Sequence, residues 1–307
     1  MKISLIIPAY NEEGNIKPIY EKSTRVLKDI NYDYEIIFVN DGSSDNTEKY
    51  ILDIKEVDKN VKLLSFTRNF GHMAALIAGY NHCNGDVAIT MDCDLQHPPE
   101  LIKNLIENWE HGFEIVHTKR IDKDQKNIIK RYFSKYFYKL FSYFSDIPIE
   151  EGSADFRLVD KKVVEKINNL KEHEIFLRGM FFWFGFKSTS FEYSPNERFS
   201  GTTKYNLKKM INFALSGMTS FSIVPLKLSS MAGFCISGLS FIYMIYALYS
   251  SLFTKSVIGG WTSLLLSVLF LGGIQLIAIG VLGEYIGRIF MEIKERPRYI
   301  IKSREGQ

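Results

Sequence analysis

Between residues 228 and 283 the chain carries one charged side chain, Lys255. Charge is plentiful elsewhere, with 38 Lys and Arg against 35 Asp and Glu in 307 residues, so this absence is local. Helices on the surface of a soluble domain need a solvated face, which such a stretch does not offer. Residues 228–254 and 256–283 each exceed the ~20 helical residues that cross a ~30 Å hydrocarbon core, with room for tilt. They read as a helical hairpin through a membrane. Other absences narrow the reading further. The three cysteines, Cys83, Cys93 and Cys235, show no metal-type spacing and no evident disulfide pairing, which agrees with a reducing compartment. The six histidines also lack metal spacing; His97 is expected only to border a cleft, and His72 is given no role. There is no internal repeat and no low-complexity segment. The first residues, Met1-Lys2-Ile3-Ser4-Leu5-Ile6-Ile7-Pro8, are too briefly apolar for a signal peptide and read as a strand. The net charge of +3 is small and gives no reason to expect a nucleic-acid partner.

The cations that matter flank the apolar runs. Lys204, Lys208, Lys209 and Lys227 precede them; Arg288, Lys294, Arg296, Arg298, Lys302 and Arg304 follow. The excess of Lys and Arg at both outer ends puts both termini in the cytoplasm and the short connection outside. The same cations favour anionic head groups of the bilayer. The expected divisions are an α/β domain over 1–200, a juxtamembrane region over 201–226, two spans over 227–284 and a cytoplasmic tail over 285–307. Residues 126–144 interleave Lys130, Arg131, Lys135 and Lys139 with tyrosines and phenylalanines. That segment is either an interfacial helix or a helix with a solvated basic face. Residues 205–215 form a second interfacial candidate.

The first 120 residues alternate between two periodicities. Strands are expected over 3–7, 34–39, 61–66, 86–91 and 114–118, and helices over 15–30, 45–57, 73–83 and 99–109. Such alternation predicts a parallel sheet with helices on both faces. Open sheets of this kind bind ligands at the carboxyl ends of their strands. The strand over 86–91 runs into Asp92-Cys93-Asp94-Leu95-Gln96. Two carboxylates and an amide oxygen at that position suit a hard divalent ion, Mg²⁺ or Mn²⁺. Taken alone, the motif is equally an acidic turn capping the helix near Pro98. Three more loops follow predicted strands: Pro8-Ala9-Tyr10-Asn11-Glu12, Asn40-Asp41-Gly42-Ser43-Ser44-Asp45 and Thr67-Arg68-Asn69-Phe70-Gly71. Each has a local turn or capping alternative, but the topology places all four side by side.

The order of Pro-Ala-Tyr-Asn-Glu, Asp-Gly-Ser-Ser-Asp, Arg-Asn-Phe-Gly and Asp-x-Asp-x-Gln resembles family 2 inverting glycosyltransferases of the GT-A, Rossmann-like fold. The two spans and Gly283-Glu284-Tyr285-Ile286-Gly287-Arg288 narrow the resemblance to polyisoprenyl-phosphate glycosyltransferases of the bactoprenol glucosyltransferase and dolichol-phosphate mannosyltransferase group. It runs from residue 3 to about 300.

That resemblance implies roles. Pro8, Tyr10, Glu12, Asp41, Ser43 and Asp92 would hold a nucleotide sugar, and Asp92, Asp94 and Gln96 a metal that steadies the departing diphosphate. Arg120 would be a second cation for that charge. Gly152-Ser153-Ala154-Asp155-Phe156-Arg157 resembles the segment carrying the acidic residue beside the sugar, which makes Asp155 the general-base candidate. A lipid phosphate, with a second pKa near ~6, is mostly ionised already and needs no strong base; Asp155 would then position the sugar or nearby cations, or serve a turn with Arg157. Arg198, Ser200 and Lys204, with Arg131 as a weaker choice, would receive the phosphate of a polyprenyl phosphate acceptor. The chain lacks the Gln-x-x-Arg-Trp motif of processive synthases, so one sugar per turnover is expected. The family default is UDP-glucose, with UDP-N-acetylhexosamine, a UDP-amino sugar and GDP-mannose as the other donors, and relatives imply a homo-oligomer, a tetramer in form. A diacylglycerol acceptor and a non-catalytic membrane adaptor are the alternatives.

Overall fold

A computed structural model describes residues 1–121, 152–173, 175–196, 224–249, 253 and 260–306. Strand β1 (Lys2–Ala9) shows why the sheet forms: from Ile3 to Ala9 every residue is buried, on both faces. A strand apolar on both sides must be covered on both sides. Ile3, Leu5 and Ile7 share a core with Ile16, Ile19 and Leu27 of helix α1 (Ile16–Asp29), whose apolar positions recur at helical spacing. The opposite face carries Ile6, against which Gly79 of helix α3 (His72–His82) packs; a Cβ at Gly79 would fall 2.2 Å from Ile6 Cγ2.

The other strands are β2 (Asp33–Asn40), β3 (Val61–Phe66), β4 (Val87–Thr90), β5 (Ile115–Arg120), β6 (Ser153–Asp160), β7 (Ser188–Tyr193) and β8 (Ile301–Glu305). The remaining helices of this unit are α2 (Thr47–Val57), α4 (Ile102–Glu110), α5 (Lys161–Asn168) and α6 (Leu177–Trp183). The eight strands form one sheet in the order β7-β5-β6-β4-β1-β2-β3-β8. The pairs β1–β2, β2–β3, β1–β4 and β5–β7 are parallel, whereas β6 is antiparallel to both β4 and β5. The chain steps from β1 to β2 and β3 on one side and then crosses back from β3 to β4 on the other side of β1, so the strand order reverses at β1. The crevice of an open α/β sheet lies at that switch point. Because β6 runs backwards, its first residues reach the edge where β4 and β5 end. The α/β expectation holds, and the five strands expected from the sequence coincide with β1 to β5.

β6, β7 and β8 were not foreseen as strands. β8 is the notable case: residues assigned to a C-terminal tail pair antiparallel with β3 from Leu63 to Phe66. Tyr299, just before it, stacks on Phe66 with ring centroids 5.0 Å apart, and its hydroxyl accepts a hydrogen bond from Asn81 Nδ2 at 2.8 Å.

Two long helices, α7 (Val224–Tyr249) and α8 (Trp261–Ile293), form a second unit and lie against each other. Within them, Leu226–Tyr243 and Phe270–Ile293 are long and apolar enough to cross a membrane, and neither stretch is buried. Phe234, Leu276 and Ile277 are 79%, 71% and 68% exposed. The connection expected between the spans, and both interfacial candidates at 126–144 and 205–215, lie outside the described residues.

Candidate active site

The site assembles from loops that the sheet places in a row. Asp41 ends β2, is 3% exposed, and accepts hydrogen bonds from the backbone N–H of Phe70 at 2.6 Å and of Gly71 at 3.0 Å. Its carboxylate therefore pins the loop after β3 to the loop after β2. Burial raises its pKa, against the two N–H groups that favour the ion. Gly42 makes this approach possible. Its φ is +66°, and a Cβ there would sit 2.3 Å from the Arg68 carbonyl carbon, so the position needs glycine for both conformation and space. Ser43 Oγ accepts from Asn11 N–H at 3.0 Å, tying the loop after β1 to the same group. Glu12 takes a bond from Asn15 Nδ2 at 2.6 Å, Pro8 lies within buried β1, and Tyr10 stands 37% exposed at the rim. Of the six nucleotide candidates, Tyr10, Glu12, Asp41 and Ser43 thus sit on two adjacent, mutually bonded loops, Pro8 lies near the end of β1, and Asp92 follows β4.

Next to them, Asp92 to His97 alternate strictly in burial. Asp92, Asp94 and Gln96 are partly open, while Cys93, Leu95 and His97 are buried. Leu95 has φ of +63°, a left-handed conformation unusual for a leucine. This turn keeps the polar side chains on one side. Asp94 Oδ1 accepts from Gln96 N–H at 3.1 Å, and Gln96 Oε1 accepts from Arg120 Nη1 at 3.1 Å, so the end of β5 joins the group. His97 is 5% exposed and lies beneath the loop rather than on its border. Its Nδ1 accepts from Asp92 N–H at 3.1 Å, so the ring is neutral, and burial lowers its pKa in agreement. Burial likewise pushes the Cys93 thiol up, leaving it inert. Among the described residues no three His, Cys, Asp or Glu side chains form a ready chelate. Two half-open carboxylates and an amide oxygen nevertheless fit a hard cation whose shell a ligand's phosphates complete.

Across from this loop, near the start of β6, Asp155 is 8% exposed and heavily engaged. Arg178 of α6 grips both oxygens, Nε to Oδ1 at 2.9 Å and Nη2 to Oδ2 at 2.7 Å. Arg157 Nη2 reaches Oδ1 at 3.2 Å. His72 Nε2 stands 3.5 Å from Asp155 Oδ2 and 3.7 Å from Asp92 Oδ1, with 41% of its side chain exposed. Burial would raise the pKa of Asp155, but Arg178, His72 and Arg157 outweigh it and hold the carboxyl well below the usual range. For His72, burial works downward while its bond to Asp155 and the charges of Asp92 and Asp155 work upward, and the net shift is up.

The structure thus brings Asp92, Asp94, Gln96, Arg120 and Asp155 to one edge, with Pro8, Tyr10, Glu12, Asp41 and Ser43 on neighbouring loops. Arg131, Arg198, Ser200 and Lys204 lie outside the described residues. Sequence reasoning did not find Arg178 or a part for His72. Arg178 had left a signal, as the single charged residue in the apolar run over 175–186.

The mixed sheet with helices on its faces is a fold of the GT-A class. The sequence profile of glycosyl transferase family 2 matches residues 4–168. Over 306 residues the chain is 45% identical to the bactoprenol glucosyl transferase of Shigella phage SfX, covering 99% of this chain and 100% of that one. It is 43% identical over 306 residues to the uncharacterized glycosyltransferase YkcC of Bacillus subtilis (strain 168), covering 100% and 95% of the two chains. Among solved structures, mannosyl-3-phosphoglycerate synthase from Rubrobacter xylanophilus superposes with a TM-score of 0.51 at 13% identity, covering 72% and 73% of the two chains; at that identity the likeness concerns the fold. The chain belongs to glycosyl transferase family 2.

Proposed function

We propose that this protein transfers one sugar, glucose from UDP-glucose as the first choice, to a polyprenyl phosphate at the cytoplasmic membrane face. The observation that carries the reading is the approach of Asp92 and Asp155 to the same imidazole, His72, at one sheet edge, in a chain alignable end to end with a bactoprenol glucosyl transferase. The loops after β1 and β2, with Pro8, Tyr10, Glu12, Asp41 and Ser43, receive the nucleotide. Asp92, Asp94 and Gln96 would hold Mg²⁺ or Mn²⁺, which supplies Lewis-acid neutralisation of the departing diphosphate. Arg120, already oriented by Gln96, adds a fixed positive charge on the same side.

The acceptor side favours an ionised nucleophile. A carboxylate whose two oxygens are committed to Arg178 is a weak proton acceptor, and a phosphate with its second pKa near ~6 needs little help to attack. Asp155 therefore serves as a fixed negative anchor in this reading rather than as the base. Attack on the anomeric carbon opposite the nucleoside diphosphate inverts its configuration. Arg198, Ser200, Lys204 and Arg131 are the proposed phosphate contacts. The helices α7 and α8 anchor the chain with both termini cytoplasmic, within the boundaries 1–200, 201–226, 227–284 and 285–307, and a homo-oligomer, a tetramer in form, is the proposed assembly.

Competition between acceptors tests the proposal. With UDP-glucose as donor, undecaprenyl phosphate is expected to receive label in the presence of an equal amount of diacylglycerol. Labelling of diacylglycerol instead would replace the acceptor. Labelling of neither, by folded protein offered a full set of UDP- and GDP-sugars, would favour a nucleotide-binding adaptor.

A further inference from the structure

Asp155 accepts three hydrogen bonds from arginines, and its main partner comes from a helix to which no role was given. α6 delivers Arg178 out of an apolar segment in which Leu177, Gly179, Met180 and Phe181 are all buried. A guanidinium in that setting forgoes much of its hydration, and a planar fork on both oxygens of one carboxylate is the arrangement that best compensates. The fork fixes direction as well as charge. With Oδ1 shared between Arg178 and Arg157, and Oδ2 bonded to Arg178, the carboxylate cannot rotate. His72 stands 3.5 Å from that second oxygen and at the same time faces Asp92, the first carboxylate of the proposed metal loop. A line of contacts therefore runs from α6 through Asp155 to the first residue of α3 and on to the loop after β4.

We propose that Arg178 is a positioning residue for the transfer step, holding Asp155 in the one orientation that sets His72 between the acceptor side and the paired-carboxylate loop. The inference rests on the glycosyltransferase reading above but adds a residue and a chain of action to it. Arg178 acts through Asp155, so its removal acts on the chemical step and leaves nucleotide capture intact. The loops that receive the nucleotide belong to β1, β2 and β3, and they are tied to one another by bonds from Asn11 N–H to Ser43 Oγ and from Phe70 and Gly71 N–H to Asp41.

The test compares five full-length proteins in lipid nanodiscs: wild type, Arg178→Gln, Arg178→Lys, Asp155→Asn, and Arg178→Gln combined with Asp155→Asn. Arg178→Gln is expected to lower kcat roughly a hundredfold, the scale of a small misplacement at a reacting centre. Its KM for the nucleotide sugar and its affinity for UDP should stay within about twofold, since a group acting only after capture leaves binding unchanged. Arg178→Lys, which keeps the charge but not the fork, should fall between. The double variant should be no slower than Asp155→Asn alone, because residues acting as one unit are not additive. A kcat for Arg178→Gln within twofold of wild type, losses that multiply in the double variant, or loss of UDP binding in step with kcat would each overturn the proposal. A readout independent of the acceptor separates this failure from that of the functional reading. The ring-nitrogen resonances of His72, assigned by their absence in His72→Gln, should move in Arg178→Gln; unchanged resonances would refute the coupling whichever sugar or lipid is used.

Discussion

Two buried carboxylates sit near opposite ends of the same sheet, and they are alike in every respect except what lies beside them. Glu35, near the start of β2, is 2% exposed in its side chain and bonds Lys2 Nζ at 2.8 Å, Lys62 Nζ at 3.1 Å, Ser4 Oγ at 2.6 Å and Asn84 N–H at 2.7 Å. Asp155, near the edge where β4 ends, is as deeply paired, with Arg178 and Arg157. Both are held as ions against the cost of burial. A buried, paired carboxylate is thus no mark of catalysis in itself. The difference lies in the third neighbour. Glu35 closes its network on the backbone of the turn before β4, whereas Asp155 opens through a half-exposed histidine toward Asp92. Position on the strand decides which is which, since open α/β sheets take their ligands at the carboxyl edge.

The comparison can be sharpened first at the open end. Asp94→Asn should reduce formation of lipid-linked sugar on the order of a thousandfold, the scale of losing a group that stabilises developing charge, with an unchanged melting temperature. A parallel loss of folding would move Asp94 into the class of Glu35. The closed end should behave in the opposite way. Glu35→Gln is expected to lower the unfolding free energy by about 3 kcal/mol near neutral pH, by linkage from its depressed pKa, while kcat per folded molecule stays as in wild type. Denaturant unfolding with activity measured on the same samples checks both halves.

Acid provides the signed version. Burial would raise the pKa of Glu35, but its bonds to Lys2, Ser4, Asn84 and Lys62 pull it down to about 2 from an ordinary 4.5. Its contribution is therefore complete above 4.5 and is lost as pH falls toward 2. The gap in stability between wild type and Glu35→Gln should close over that window, and a gap that widens there would contradict the assignment. Asp155 shifts in the same direction, so its pairing also survives mild acid.

Smaller effects separate the loops from their support. Gly42→Ala meets the backbone of Arg68 and must hold a positive φ, so a cost of about 2 kcal/mol is expected, with weaker UDP binding measured by calorimetry. Tyr299→Ala removes the ring stacked on Phe66, at roughly 1 kcal/mol. Because Phe66 leads into the loop whose N–H groups bind Asp41, a slight rise in KM for the donor should accompany it. Unchanged KM would confine β8 and its approach to a stabilising role.

Much of this molecule was legible as sequence, for identifiable reasons. β1 to β4 carry consecutive buried apolar residues, and each is followed by a loop bearing Asp, Asn or Gly, so periodicity and turn chemistry agreed. The Asp92–Gln96 alternation was visible as well. β8 was not, because Ile301-Lys302-Ser303-Arg304-Glu305 has the charge of a solvated tail; that is how an edge strand is protected from unwanted pairing. β6 was hidden by Asp155 and Arg157, which look like a polar turn until antiparallel pairing buries them between β4 and β5. Asp41 was expected to face a nucleotide, but both oxygens also bind the neighbouring backbone, and no local pattern announces a contact with residues 70 and 71. The partnership of Arg178 with Asp155 joins side chains 23 positions apart and likewise required the fold.

The most direct measurement is transfer of labelled glucose from UDP-glucose to undecaprenyl phosphate by the full-length protein, with Mn²⁺ or Mg²⁺ and then with excess chelator. The account predicts a lipid-linked monosaccharide that forms with the metal, stops on chelation, and carries the anomeric configuration opposite to the donor's. Transfer undiminished by chelator, or a product that retains the donor's configuration, would contradict it.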